Sequence, residues 1–212
     1  MAKILITSGP TRQFIDPVRY ISNASSGTMG SCLAQAALDL GHEVIMVSGP
    51  VNLTYPAGVK LVSVVSTEDM LQACLEHFPE CDGLIGAAAP CDYRPVEVAD
   101  HKIRKSGEPL SIKLVETEDI VAQMGATKKE GQWSVGFALE TEDARFRALS
   151  KLIRKSCNLV VVNGVEAIDS QQNSVEIISS EGRIIVQKSG SKAKVAKAVL
   201  DAIQDQLIDG KK

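Results

Sequence analysis

Short apolar runs recur along the chain, each too brief for a helix and bounded by polar or turn-forming residues. They are KILIT (Lys3–Thr7), EVIMVSGP, VKLVSVV (Val59–Val65), DGLIGAAAP, WSVGFAL and NLVVVNG. DGLIGAAAP is apolar throughout, as a strand covered on both faces is, and such strands build parallel sheets with helices above and below. No other feature constrains the fold so tightly.

The segments between these runs carry the helical period. GTMGSCLAQAALDLGH sets Met29, Leu33, Ala36, Ala37 and Leu40 on one face, with Gly41 as the stop and His42 just beyond it as a surface residue. Ser66 and Asp69 form a capping box for a helix through Phe78, halted by Pro79. Further helices are predicted from about Thr117 to Thr127 and over EDARFRALSKLIRKSC. The rhythm then changes: NSVEIISSEGRIIVQK is two strands around a Ser-Glu-Gly turn, and a last amphipathic helix carries Val195, Val199, Ile203 and Leu207.

The fold class that follows is α/β: a Rossmann-like, doubly wound, mostly parallel sheet with a C-terminal β-hairpin at its edge. One domain over residues 1–212 is expected, with a polar flap at about 93–116 and a long polar loop between the first strand and first helix.

Composition excludes several functions. Twenty-three basic against 26 acidic residues give a net charge of -3, so no basic surface points to nucleic acid. Aromatics at 4% leave little for base stacking. Five cysteines without metal-type spacing, and no signal peptide, point to reduced thiols in the cytoplasm. No apolar run approaches the roughly 18–20 residues of a membrane span.

Ligands of such sheets bind beyond the carboxyl ends of strands where the strand order reverses. Those ends here are TSGPTR, with Gly9, and AAAPCDYRP, with Ala87 and Ala88; both offer the small residues that close approach requires. Ser25, Ser26 and Gly27 open the first helix, either as a plain helix start or as an anion site on free amides. HKIRK in the flap brings Lys102, Arg104 and Lys105, a solvated charge run or a lid for a polyphosphate. GxGxxG, GxxxxGK[ST] and GxSxG are all absent, and the second strand ends in VSGP rather than an acid.

TSGPTRQFIDPVRYISNASSGTMG, AAAPCDYRP, KIRK and GFALET, in this order and spacing, resemble the phosphopantothenate–cysteine ligase family. The resemblance runs from Ile4 to about Asn163. It implies that the carboxylate of 4′-phosphopantothenate attacks the α-phosphorus of CTP (or ATP) with Mg²⁺ present. L-Cysteine then captures the acyl-nucleotide as an amide. It also implies a homodimer with sites near the subunit interface. The family domain often follows a flavin-dependent decarboxylase; with nothing ahead of Met1, the synthetase alone is expected.

Residue by residue, the resemblance implies that Asn23 supports the second half-reaction and that Arg19 organises the substrate side. Lys102 would act on the triphosphate during the first half-reaction. Nucleotide binding would fall to Gly9, Ala87, Ala88, Asp92, Phe137, Lys151 and Lys155, and to the helix-start segment Glu118, Asp119, Ile120 and Val121. Asp92 is also the implied metal contact, and Ser25, Ser26 and Gly27 complete the substrate site. The chain departs from the family pattern at Pro90, Cys91, Glu118, Leu139 and Gly164. Glu118 bears on the choice between CTP and ATP. Cys91 reads as a packing thiol, since the chemistry supplies cysteine as substrate. Two other readings of the fold are an NAD(P)-dependent oxidoreductase and a non-catalytic nucleotide-sensing module.

Overall fold

The computed structural model describes residues 1–139, 144–163 and 172–211, with backbone alone for 139, 144–148, 172 and 211. The segment 140–143, which holds the end of GFALET and the expected first turn of a helix, and Gly164 lie outside the described residues.

The strands that follow from the apolar runs are β1 (Lys3–Ser8), β4 (Glu43–Ser48), β5 (Lys60–Ser63), β6 (Gly83–Gly86), β9 (Trp133–Leu139) and β10 (Leu159–Asn163). They lie in the order β5-β4-β1-β6-β9-β10, all parallel, which is the doubly wound order with its reversal between β1 and β6. β11 (Gln172–Ser179) and β12 (Ile184–Ser191) extend the sheet antiparallel past β10, closing the expected edge hairpin. Gly182 supplies the positive φ of its turn.

Strand parity sorts the core into two layers. Ile4, Ile6, Val44 and Met46 face one way, against α1 (Thr28–Asp39) and α5 (Lys192–Ile203). Leu5, Ile45, Val47 and Leu84 face the other, against α2 (Thr67–His77) and α3 (Ile120–Thr127). α4 (Ala144–Arg154) covers β9 and β10 on that second side through Leu152, Val160 and Val162. Each of these large side chains contributes about 1.5–3 kcal/mol on burial, so the sheet is fixed on both faces.

Local signals held where chemistry was strong. Ser66 and Asp69 make the reciprocal capping box of α2, and the Val195–Val199–Ile203–Leu207 stripe of the closing helix is buried. Three expectations are corrected. The loop after β1 contains an antiparallel hairpin, β2 (Arg12–Asp16) and β3 (Arg19–Ser22), held by the edge-to-face pair Phe14–Tyr20 at 5.5 Å and by Arg12 stacked 4.5 Å from Tyr20. α3 begins only at Ile120, because the Asp119 side chain caps it by accepting from Ala122 N at 3.1 Å. His42 is buried, not a surface residue: its Nδ1 accepts the Ala2 amide at 3.2 Å.

The flap is anchored by a two-stranded ribbon, β7 (Tyr93–Pro95) with β8 (Leu114–Glu116). It touches the β2–β3 hairpin through Ala99 N donating to Ile15 O at 3.1 Å. Among the described residues no helix is long and apolar enough to cross a membrane.

Candidate active site

The cleft forms where β1 and β6 end. Pro10 and Ala89 make a parallel bridge there, and Ala89 N donates to Gly9 O at 2.9 Å, so the two strand exits are stitched together just beyond the sheet. Gly9 is thus structural at this point, buried and at φ 73. Asn23, leaving the β2–β3 hairpin, donates through Nδ2 to Pro90 O at 2.8 Å and Ala89 O at 3.3 Å.

α1 points its first turn into the cleft. Its N-cap is Gly27 in the left-handed region, and no side chain caps it in the usual way. Ser26 pairs its hydroxyl with that of Thr28 at 2.8 Å. Beneath, Tyr55 donates to Ser8 at 2.9 Å and Ser8 to Gly27 O at 3.2 Å, fixing the helix start on the end of β1. Gly30 lets the two approach: a Cβ there would stand 2.2 Å from Ser8 Oγ. Apart from the Thr28 amide, which makes a long 3.4 Å bond to Ser26 Oγ, this helix start presents amide donors and a positive dipole end, the chemistry of an anion site.

Two adjoining cavities share Ala88, Pro90, Asp92, Phe137 and Lys155, and so form one cleft. The first, about 410 Å³, also gathers Asn23, Ser25, Ser26, Gly27, Ala87 and Lys151. The second, about 450 Å³, adds Glu118, Asp119, Ile120 and Val121. Nearly all of the expected site residues therefore meet. Gly9, Arg19 and Lys102 line neither cavity: Gly9 is buried at the junction of the strand exits, and the other two belong to the hairpin tip and the flap.

Within the cleft, charges are already organised. Lys155 Nζ sits 3.0 Å from Asp119 Oδ2, so the α3 cap also holds a lysine at the end of α4. Glu118 accepts from Gln123 Nε2 at 2.9 Å. Asp92 is exposed, while its backbone carbonyl takes the Thr117 amide at 2.9 Å. Cys91 is buried, its thiol directed to Thr11 O at 3.4 Å and Ile21 O at 3.5 Å, and burial pushes its pKa up, as suits a packing thiol.

Some participants carried no sequence signal. Asn163, Asn173 and Lys192 complete the far wall of the first cavity, brought there by the edge strands and the start of α5. Thr11, Thr67 and Thr117 bond the Cys91 backbone from three separate segments. Ordinary threonines at helix starts and strand ends advertise none of this.

The fold is that of a Rossmann-like α/β protein with a cleft at the topological switch point, between the start of α1 and a pair of lysines. The chain matches the DNA/pantothenate metabolism flavoprotein C-terminal domain family over residues 1–207, and it belongs to that family. Among relatives, it is 42% identical over 195 residues to the coenzyme A biosynthesis bifunctional protein CoaBC of Haemophilus influenzae, covering 91% of this chain and 48% of that protein. The chain spans about half the length of the curated relatives it matches. The crystal structure of a CoaBC C-terminal domain superposes with a TM-score of 0.84 at 39% identity, covering 98% of this chain and 96% of the other. A Cab2 mutant in complex with phosphopantothenate-cysteine shares the fold, with a TM-score of 0.81 at 18% identity, covering 99% and 88%.

Proposed function

We propose that this chain joins 4′-phosphopantothenate to L-cysteine in coenzyme A biosynthesis, by way of an acyl-nucleotide made from CTP. The observation that carries the reading is the convergence of Asn23, the open start of α1, Asp92, Phe137, Lys151 and Lys155 on one cleft. The names of the relatives supply the pathway.

The chemistry explains why those groups are needed together. A carboxylate is a poor electrophile. Its oxygen attacks the α-phosphorus, the bond to pyrophosphate breaks, and the acyl group now carries a good leaving group. The cysteine amine adds to the acyl carbon, loses a proton, and expels the nucleoside monophosphate. Lys151 and Lys155 answer the phosphate charge, and the α1 amides a second anion. Lys102, delivered by the flap, stabilises charge in the first half-reaction. The Asn23 amide, released from its longer 3.3 Å bond to Ala89 O, donates to the acyl oxygen as it gains charge in the second. Phe137 packs on the base, and the backbone of Asp119–Val121 reads its edge. CTP is the expected donor, with ATP as the competitor that Glu118 leaves open.

Magnesium takes one or two carboxylates and otherwise uses substrate phosphates. Asp92, exposed in the cleft, fits that demand, although no group of three or more candidate ligands gathers among the described residues. When bound, the ion would neutralise phosphate charge.

A homodimer is part of the reading. Val18, Tyr20, Val96, Val98 and Leu110 are exposed apolar side chains on the hairpin and flap, suited to a second copy. Five free cysteines suit the cytoplasm. An NAD(P) enzyme is disfavoured, since Ser48 ends β4 and its hydroxyl is engaged with Gly49 O and Tyr55.

The test is incubation with phosphopantothenate and each triphosphate, with and without cysteine. Pyrophosphate and an acyl-nucleotide mass are expected without cysteine. Asn23→Asp should let that species accumulate, and Lys102→Gln should prevent it. Full activity of both variants would remove the assigned roles, and NADPH binding would favour the oxidoreductase.

A further inference from the structure

Asp16 has no part in the chemistry above, yet it is the most heavily engaged carboxylate described. It is fully buried at the tip of the β2–β3 hairpin. Oδ1 accepts the amides of Val18 and Arg19, each at 2.9 Å. Oδ2 accepts Arg19 Nη1 at 2.7 Å and the Ile103 amide at 3.1 Å. That uses about all the acceptor positions a carboxylate has.

Arg19 completes the grip. Its Nη1 and Nη2 both donate to Ile103 O at 3.2 Å. The backbone of one flap residue, Ile103, is therefore held at its N–H by Asp16 and at its C=O by Arg19, which fixes the two successive peptide units that flank it. Ile103 lies between Lys102 and Arg104, the cations that the flap would bring to a triphosphate. Arg19 spends three of its five donors in this way, which is why it lines neither cavity.

The balance of forces says which member governs. Burial pushes the Asp16 carboxyl up, but the amides of Val18 and Ile103, the Arg19 guanidinium and the Arg19 amide outweigh it and hold the group ionised. Removing the charge from such a centre leaves four donors short of an anionic partner, two of them from Arg19. The flap's other ties are its β7–β8 base, where Arg94 also pairs with Glu68 at 3.2 Å, apolar contact around Ile15, and one further backbone bond to the hairpin, Ala99 N to Ile15 O.

We infer that Asp16 is a positioning residue, which through Arg19 and the Ile103 backbone fixes the flap segment that carries Lys102. The inference rests on the proposed role of Lys102. It recasts Arg19 as a structural partner of the flap, with two donors left for a ligand.

The experiment compares wild type, Asp16→Asn, Ile103→Pro and Lys102→Gln. Ile103→Pro deletes the N–H that Asp16 accepts and leaves the hairpin untouched, so it guards against misfolding of the Asp16 variant. Limited trypsin digestion reads flap opening, as cleavage after Arg104 and Lys105 tracks local release. Pyrophosphate formation reads the first half-reaction. Conversion of pre-made acyl-nucleotide by cysteine reads the second. Both clasp variants should be cut at least 10-fold faster and should form pyrophosphate at least 10-fold more slowly, with capture by cysteine changed less than 3-fold.

Unchanged trypsin cleavage in both variants would overturn the inference directly. Faster cleavage with undiminished pyrophosphate formation would overturn it too, provided Lys102→Gln is inactive. If Lys102→Gln is itself active, the failure belongs to the proposed function, and the positioning role falls with it.

Discussion

The Thr11 hydroxyl oxygen accepts the Cys91 backbone N–H at 2.8 Å. Its own proton is then free to go to Thr67 Oγ1, 2.8 Å away, and the Thr67 proton goes to Cys91 O at 3.2 Å. The backbone of Cys91, the residue just ahead of Asp92, is thus held at both its N–H and its C=O by a closed ring of bonds, in a buried setting. Thr11→Val deletes two of them and leaves the Cys91 amide without a partner, a loss of about 1–3 kcal/mol. A lower urea midpoint with unchanged slope is expected, and Thr11→Ser should stay near wild type. Valine behaving like wild type would show that the ring contributes nothing.

Asp119 serves two elements at once. It caps α3 through the Ala122 amide and holds Lys155 at 3.0 Å. Asp119→Ala should lower stability by about 1 kcal/mol through the cap. It should also raise KM for the triphosphate several-fold, because both the base-edge segment and a phosphate-facing lysine lose their anchor. KM for cysteine should not move. Asp119→Asn, which keeps a capping oxygen but no charge, should spare stability and still raise the triphosphate KM. Equal effects on all substrates would mean that the residue acts on the fold alone.

His42 sets a pH dependence of stability. Burial drives its imidazole below the ordinary 6.5, opposed in part by the Gln204 side chain. Below 6.5 the unfolded chain takes up a proton that the folded chain resists, so the contribution is complete above 6.5 and is lost as pH falls beneath it. Asp16 and Asp69 are held below their usual 3.8, so their losses begin only at lower pH. The melting temperature should therefore decline on acidification just under 6.5, and His42→Gln should flatten that slope even if it starts lower. An identical slope in the variant would place the titrating group elsewhere.

Legibility in the sequence tracked the range of the interaction. Ile4, Leu5 and Ile6 alternate between two covered faces, so a short apolar run already implies the sheet and its helices. Ser66 and Asp69 announce α2 because a capping box is complete within four residues. His42 misled because a residue after a helix-ending glycine looks exposed, whereas the N-terminal Ala2 amide covers it. The β2–β3 hairpin stayed hidden because its stability comes from the Phe14–Tyr20 and Arg12–Tyr20 contacts, which exist only once the chain doubles back. The motif resemblance located the cleft residues, yet nothing local in DPVR tells that Asp16 and Arg19 grip a peptide 84 residues further on. Hydrogen bonds between distant segments leave no periodic trace.

Gly30 is where packing and anion chemistry meet, and it provides the sharpest steric test. A Cβ there would lie 2.2 Å from Ser8 Oγ and 2.5 Å from Ser8 Cβ, and Ser8 is itself bonded to Gly27 O and Tyr55. Ser8 cannot yield cheaply, since its backbone is paired in β1 and its hydroxyl is held by Gly27 O and Tyr55. Gly30→Ala should therefore push the start of α1 away from β1, at about 1–3 kcal/mol for overpacking. The displaced first-turn amides would meet the anion less well, so substrate KM should rise along with the loss of stability. Pairing it with Ser8→Ala removes the hydroxyl contact but leaves the 2.5 Å Cβ contact, so recovery should be partial. Full recovery would mean that the hydroxyl alone, rather than the backbone approach it reports, sets the position of the helix.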